Sequence, residues 1–363
     1  MNRNQTISLG CLLAALAIGL ASVSAAEKIN TDPKQQLPKP DTKPPDTKKP
    51  VKVFILMGQS NMIGMGEIGP ETTKGTLTYL TKKEGKYPHL LDDAGNWTVR
   101  NDVWYVQVTV GQRQHWLKPG EKSSTIGPEL QFGHIMGQIH DEMVVLIKAA
   151  QGNRALGWDF LPPGSERFTF EGKTYAGYKD TPESWIDGQP KKAVNWYAGK
   201  QYDDCVKDIH QILDNLPKFF PDYKNQGYEV AGFVWWQGHR DTFSAAQASR
   251  YEQNLVRLIK SLRAEFKAPK APFVLATIAF GGWKLAGNGL TIANAQLAVS
   301  GEKGKYPEFA GNVKTAEARD FWRDVDVSPK NQGYHYNRNA ETYMEVGNAL
   351  GWAMADLLSH TRE

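Results

Sequence analysis

The chain predicts a three-layer α/β/α sandwich built on about five parallel strands. Two patterns carry that expectation: short runs that are apolar throughout and stop at glycine, and helix-length segments that lie between them. Strands covered by helices on both faces read as continuous apolar runs rather than as alternation. A repeated strand and helix order implies right-handed crossovers, and such sheets place their chemistry at the carboxyl ends of the strands.

In chain order, the first run is Val53-Phe54-Ile55-Leu56-Met57-Gly58, which stops at glycine and is followed by Gln59-Ser60-Asn61-Met62. Residues 127 to 141 open with Gly127-Pro128 and read as the first long helix. Residues 143 to 152 form the next run and stop at Gly152, and residues 203 to 216 read as a helix. Cys205, Ile209, Ile212 and Leu216 follow helical spacing there, so Cys205 reads as a small buried core residue. Residues 228 to 238 end in Trp235-Trp236-Gln237-Gly238, and a helix over 244 to 266 follows. Strands over 272 to 280 and 312 to 318 and a final helix over 339 to 358 complete the pattern, without internal repeats.

Two segments interrupt the alternation. Residues 67 to 126 and 153 to 202 are rich in Trp, Tyr, Gly and Lys and leave from the carboxyl ends of strands, so they are expected to wall a pocket. Trp97, Trp104, Trp116, Trp158, Trp185 and Trp196 are candidates for stacking on sugar rings. Most of them are expected to pin the loops to the core, with one or two at most touching a ligand.

Ser60 emerges where a buried strand ends, a position that suits a nucleophile and equally suits a helix cap. The other runs shift that balance. Gly152 and Gln237-Gly238 end theirs in the same way, and His335 stands late in the chain within Gln332-Gly333-Tyr334-His335-Tyr336. These are the parts of an acyl-transfer site. Ser60 attacks, His335 takes and returns the proton, and Ser60 N–H, Gly152 N–H and the Gln237 amide hold the oxyanion.

Gly58-Gln59-Ser60-Asn61-Met62, the Gly152 turn, Trp235-Trp236-Gln237-Gly238 and the late His335 resemble the SGNH-hydrolase superfamily, a flavodoxin-like fold. The similarity is to its branch of sialate O-acetylesterase-like and acetylxylan-esterase-like carbohydrate esterases, and it covers about residues 51 to 360. It implies an enzyme, a carboxylic-ester hydrolase that removes O-acetyl groups from an acetylated oligo- or polysaccharide. Two positions depart from the family pattern. Gln332 stands three residues before the histidine, where the family has Asp, and an amide is no anionic partner for an imidazolium. The candidates to orient His335 are then Asp241, Asp320, Asp324 and Asp326, or a backbone carbonyl or Gln332 itself in a dyad. His239 follows Trp-Gln-Gly, where the family often has Glu; it either shapes the pocket or is an exposed loop residue.

Composition agrees with an exported enzyme. Residues 1 to 26 carry one positive charge at Arg3, an apolar stretch and then Ala-Ser-Val-Ser-Ala-Ala, which reads as a signal peptide cleaved after Ala25 or Ala26. The protein is thus expected to be secreted or periplasmic, with no stable membrane insertion after cleavage. Cleavage removes Cys11 and leaves Cys205 alone, so no intrachain disulfide forms. Residues 27 to 50 hold six prolines and six lysines with almost nothing apolar and read as a solvated linker, leaving 51 to 363 as the esterase-type domain. A formal charge of +4 without a basic, aromatic-interleaved stripe argues against nucleic acid. No HExxH, paired CxxC, GxGxxG or P-loop occurs, and neither metal nor cofactor is expected. The alternative from another class is a secreted carbohydrate-binding protein that keeps the fold but has lost turnover, which Gln332 makes conceivable.

Overall fold

The computed structural model describes residues 36–41, 43–192 and 194–360. The expected signal peptide and the first part of the expected linker lie outside the described residues. A seven-stranded sheet forms the centre, from β1 (Val51–Gly58), β2 (Arg100–Val108), β3 (Arg113–Leu117), β4 (Val144–Ala150), β5 (Tyr228–Trp236), β6 (Phe273–Ala276) and β7 (Val313–Ala316). Their spatial order is β7-β6-β5-β1-β4-β2-β3, and all neighbours run parallel except the β2–β3 pair.

The sheet is thus one parallel strand larger than expected. The extra strand is β2, which lies inside the segment expected to be loop. Its first half, Arg100-Asn101-Asp102, is polar and it lacks a glycine stop, so it fails the test that finds buried strands. Its partner β3, Arg-Gln-His-Trp-Leu, is polar because it lies at the sheet's edge.

Both faces of β1 are buried, as its unbroken apolar run requires. Val53, Ile55 and Met57 join the core under α3 (Lys200–Leu213), α4 (Ala245–Glu265) and α5 (Gly287–Ala298). Phe54 and Leu56 join the core under α2 (Glu129–Ile139) and α6 (Ala340–His360). Each such side chain contributes about 1.5–3 kcal/mol when withdrawn from water. Cys205 sits in the first core, and burial pushes its thiol up to about 12, which suits the expected packing role. Among the described residues no helix is long and apolar enough to cross a membrane.

The described part of the expected linker is laid against the domain. Leu37 is buried in the second core, Asp46 N–H donates to Asp141 O at 2.7 Å, and Lys43 pairs with Asp141 at 3.2 Å. One apolar side chain and its alternating charges find partners there, where the composition predicts full solvation.

The chain leaves β1 toward β4 and β2, then returns to build β5, β6 and β7 on the other side. The reversal falls between β1 and β5, and in open parallel sheets ligands bind outside the carboxyl ends of the strands at such a point.

Beneath this sheet, two histidines are buried without charge. The rings of His89 and His134 are 5.0 Å apart, and neither nitrogen of His134 has a partner among the described residues. Burial pushes His89 down to about 4 and His134 well below its ordinary value, with Arg100 adding to both. Above pH ~6.5 the histidines are neutral in both folded and unfolded chains; below it only the unfolded chain takes up protons readily. Stability should therefore fall as pH drops from ~6.5 toward 4, by up to ~1.4 kcal/mol per pH unit for each histidine. Denaturant melts between pH 7 and 5 check this, and His134→Met should flatten the slope.

Candidate active site

The nucleophile turn begins at Gly58. A Cβ there would stand 2.2 Å from Trp236 O, so only glycine lets the ends of β1 and β5 approach this closely. Ser60 opens α1 (Ser60–Ile63), a single turn too short to be stable alone. Lys148, in the middle of β4 and 1% exposed, reaches beneath it. Its Nζ donates to Ile63 O at 2.7 Å, placing a cation at the carbonyl end of the turn. Glu129 Oε2 lies 2.8 Å from the same ammonium, and Glu129 Oε1 accepts from Gly127 N–H at 3.1 Å. Burial lowers the Lys148 pKa, and Glu129 offsets part of that. A lysine inside the run Val-Val-Leu-Ile-Lys-Ala-Ala was the signal for this support, although the sequence reading gave it no role.

Asn61, the neighbour of Ser60, holds the histidine loop. Its Nδ2 donates to Tyr334 O at 3.2 Å, and its Oδ1 accepts from Tyr343 OH at 2.7 Å. The same hydroxyl lies 3.2 Å from His335 O. The structure thus fixes the backbone of the His335 turn against the Ser60 turn.

Directly after His335, Tyr336, Asn337 and Arg338 have φ of 50°, 54° and 58°. Three consecutive non-glycine residues in the left-handed region cost about 1–2 kcal/mol each. Side-chain anchors offset that cost. Tyr336 stacks on Trp236 at 5.2 Å and on Phe280 at 4.9 Å, and its hydroxyl accepts from Ala279 N–H. Asn337 Oδ1 accepts from Gln332 N–H at 3.0 Å, while its Nδ2 donates to Arg323 O.

Burial pushes His335 down to about 4, helped by the positive Arg338 and by His239. Its Nδ1 is buried without a hydrogen-bond partner among the described residues, so none of the four candidate aspartates reaches it. Asp241 is fully buried and accepts from Leu156 N–H, Gly157 N–H and Gln237 Nε2; burial pushes it up to about 6. Asp320 accepts from Trp283 Nε1 and Asp324 from Trp322 Nε1, while Asp326 is exposed. The nearest candidate in sequence is Gln332. Its Oε1 is also buried and unpaired among the described residues, and its backbone O accepts from His335 N–H at 2.8 Å.

Gly152 lies against the nucleophile: a Cβ added to it would be 3.9 Å from Ser60 Cβ. Neither Ser60 N–H nor Gly152 N–H donates to another described residue. The Gln237 amide is differently placed. Both its hydrogens are engaged, by Arg154 O at 2.8 Å and Asp241 Oδ2 at 2.6 Å, and its Oε1 accepts from Tyr251 OH. In this arrangement Gln237 ties the end of β5 to the Gly152 loop and offers no free donor to an oxyanion.

The six tryptophans of the long loops are all buried or half-buried. Trp104 donates to Phe219 O and packs on Trp116; Trp97 packs on the second core. Trp158 and Trp185 pack around Leu161, and Trp196 lies under Arg154. The aromatic rings open to solvent near the site come from other loops, and His239 is half-buried among them against Phe243, Phe280 and Tyr334. Among the described residues no group of three or more His, Cys, Asp or Glu could hold a metal ion.

A family model described as carbohydrate esterase, sialic acid-specific acetylesterase, matches residues 50–355. Among curated proteins, a probable carbohydrate esterase of Arabidopsis thaliana is 31% identical over 71 residues, which is 20% of this chain and 27% of that relative. The chain thus matches little more than a quarter of that relative's length. Among solved structures, one from Arabidopsis thaliana has a TM-score of 0.48 at 19% identity, covering 84% of this chain and 98% of its own. A carbohydrate acetylesterase from Xanthomonas citri gives 0.46 at 14% identity, with 83% and 55% covered. NanS gives 0.41 at 13%, with 79% and 87% covered.

Lys148→Met should leave Glu129 buried without its cation and lower stability by about 3–5 kcal/mol. Chemical denaturation reads this. The double variant Lys148→Met/Glu129→Gln should recover part of the loss; a single variant as stable as the parent shows that the pair does not hold the turn.

Proposed function

The chain belongs to the carbohydrate esterase family of sialic acid-specific acetylesterases, and from that premise we propose that it is a serine esterase removing O-acetyl groups from an acetylated carbohydrate. The observation that carries this reading is the Asn61 link between the Ser60 and His335 turns. It ties the turn that carries Ser60 to the turn that carries His335, from opposite ends of the chain, which supports reading the two as one site.

In the proposed cycle Ser60 Oγ attacks the acetyl carbonyl while His335 takes its proton, and Ser60 N–H and Gly152 N–H hold the oxyanion. The sugar alkoxide leaves with the proton from His335. Water, deprotonated by the same imidazole, then releases acetate from Ser60. Gln332 is the natural orienting partner: its unpaired Oε1 can accept from Nδ1–H and so leave Nε2 to receive the serine proton. An amide oxygen fixes the tautomer but stabilises the imidazolium less than a carboxylate does, so the site works as a dyad with a weak base. Burial and the neighbouring Arg338 and His239 keep the His335 pKa low, which suits a weak base. We further propose that residues 1–26 direct export; amino-terminal sequencing of the mature protein tests it.

Ser60→Ala should abolish acetate release from an aryl acetate, by ~10⁶ in kcat, while circular dichroism stays unchanged. Near-normal turnover in that variant removes Ser60 from the mechanism, and no turnover in the parent leaves the reading of a binding protein.

Because His335 is neutral down to about pH 4, kcat/KM should rise with an acid limb near 4 and be flat by pH 6. Gln332→Glu adds a carboxylate that favours the imidazolium, raises the His335 pKa and should move that limb to higher pH. An unmoved limb disconnects Gln332 from the base. Asp→Asn changes at 320, 324 and 326 should each cost no more than about tenfold, ~1.4 kcal/mol of barrier. One large loss among them restores a triad.

A further inference from the structure

Gly152 stands between two anchors. Upstream, Gln151 N–H donates to Gly58 O at 3.2 Å, which ties the end of β4 to the nucleophile turn. Downstream, four consecutive residues are each held by a side chain. Arg154 O accepts from Gln237 Nε2 at 2.8 Å, and Ala155 N–H donates to Asp159 Oδ2 at 2.8 Å. Leu156 N–H donates to Asp241 Oδ2 at 2.9 Å, and Gly157 N–H to Asp241 Oδ1 at 2.8 Å. Asn153, between the anchors, has φ of 56°, a left-handed backbone that asparagine tolerates.

Asp241 is the centre of the downstream anchor. It lies on the single turn Arg240–Phe243 after β5 and is 0% exposed, so it touches no substrate. Its Oδ2 also accepts from Gln237 Nε2 at 2.6 Å. Three N–H groups thus converge on one carboxylate. An ionised carboxylate only accepts, whereas an amide in its place would turn its own NH2 group on one of those donors. The same carboxylate decides which way the Gln237 amide points. Trp235 Nε1 and Gln296 Nε2 donate to Tyr251 OH at 3.4 and 3.2 Å, which leaves that hydroxyl to donate to Gln237 Oε1 at 2.8 Å. Gln237 Nε2 is left facing Asp241 and Arg154 O, and is withheld from the site.

We propose that Asp241 is a positioning residue for the oxyanion site: it fixes residues 154–157 and thereby the direction of Gly152 N–H, and it holds the Gln237 amide inward, so that the donors are Ser60 N–H and Gly152 N–H. This rests on the esterase reading above. A backbone donor points wherever its loop points. Holding that loop in place before charge develops on the substrate oxygen spares the reaction the cost of ordering it then.

Asp241→Asn tests this in hydrolysis of 4-nitrophenyl acetate at neutral pH and in inhibition by phenylboronic acid. The boron of that inhibitor takes Ser60 Oγ to give a tetrahedral anion, while the serine proton passes to His335. The variant should lose about 10² in kcat with KM changed less than about threefold, because the weakened interaction is made in the transition state. The Ki for phenylboronic acid should weaken by a similar factor. A loss of folded protein lowers kcat but leaves Ki where it was, so an unchanged Ki overturns the proposal. So does a loss confined to KM, or a kcat within about threefold of the parent's. If the variant does not fold, hydrogen exchange of the parent decides: the Leu156 and Gly157 amides should exchange as slowly as those of β5, and fast exchange overturns the anchor. A parent that neither cleaves the ester nor binds the boronic acid sinks the esterase reading and the positioning role with it. An active parent beside a fully active variant sinks the positioning role alone.

Discussion

Everything proposed for the site depends on Asn61 holding two turns together. Ser60 stands on one turn of helix that four residues cannot stabilise, and His335 precedes three residues in a backbone region their side chains disfavour. Neither piece holds its shape alone. Asn61 joins them through Tyr334 O and Tyr343 OH, while Lys148 secures the far end of the helix turn from below. The polar groups are buried, so each bond is strong in its surroundings and its loss leaves an unsatisfied group behind.

The parallel sheet, its order of strand and helix and the strand-end positions of Ser60, Gly152 and Gln237 were legible in the sequence because buried strands leave an apolar run and a glycine stop. β2 escaped because half of it is polar, and α5 because Gly-Asn-Gly at its start reads as a turn. The role of Gln237 escaped for another reason: whether an amide faces a ligand or its own neighbours depends on Arg154 and Asp241, which only the folded chain brings beside it. The six loop tryptophans do pin the loops, as most were expected to, and the exposed Trp283 escaped notice for the converse reason. A tryptophan count cannot tell Trp104, which is sealed in the core, from Trp283, which is open to solvent.

Electrostatics separates the ionisable groups here. Asp241 is the carboxylate closest to Gln237, yet it serves three backbone and side-chain donors and burial makes it reluctant to ionise. No anion among the described residues hydrogen-bonds His335 Nδ1, and burial depresses its pKa. A base of this kind is neutral over a wide acidic range and pulls weakly on a proton, so the proposed chemistry leans on the oxyanion donors more than it does in a full triad.

The bond from Asn61 to Tyr334 spans 273 residues of sequence. Contacts this distant form late, since the loop they close must be ordered first. A nascent chain emerging from the ribosome therefore holds Ser60 long before His335 has been synthesised. The two turns can be joined only once Tyr334 and the carboxyl-terminal helix that carries Tyr343 have been added.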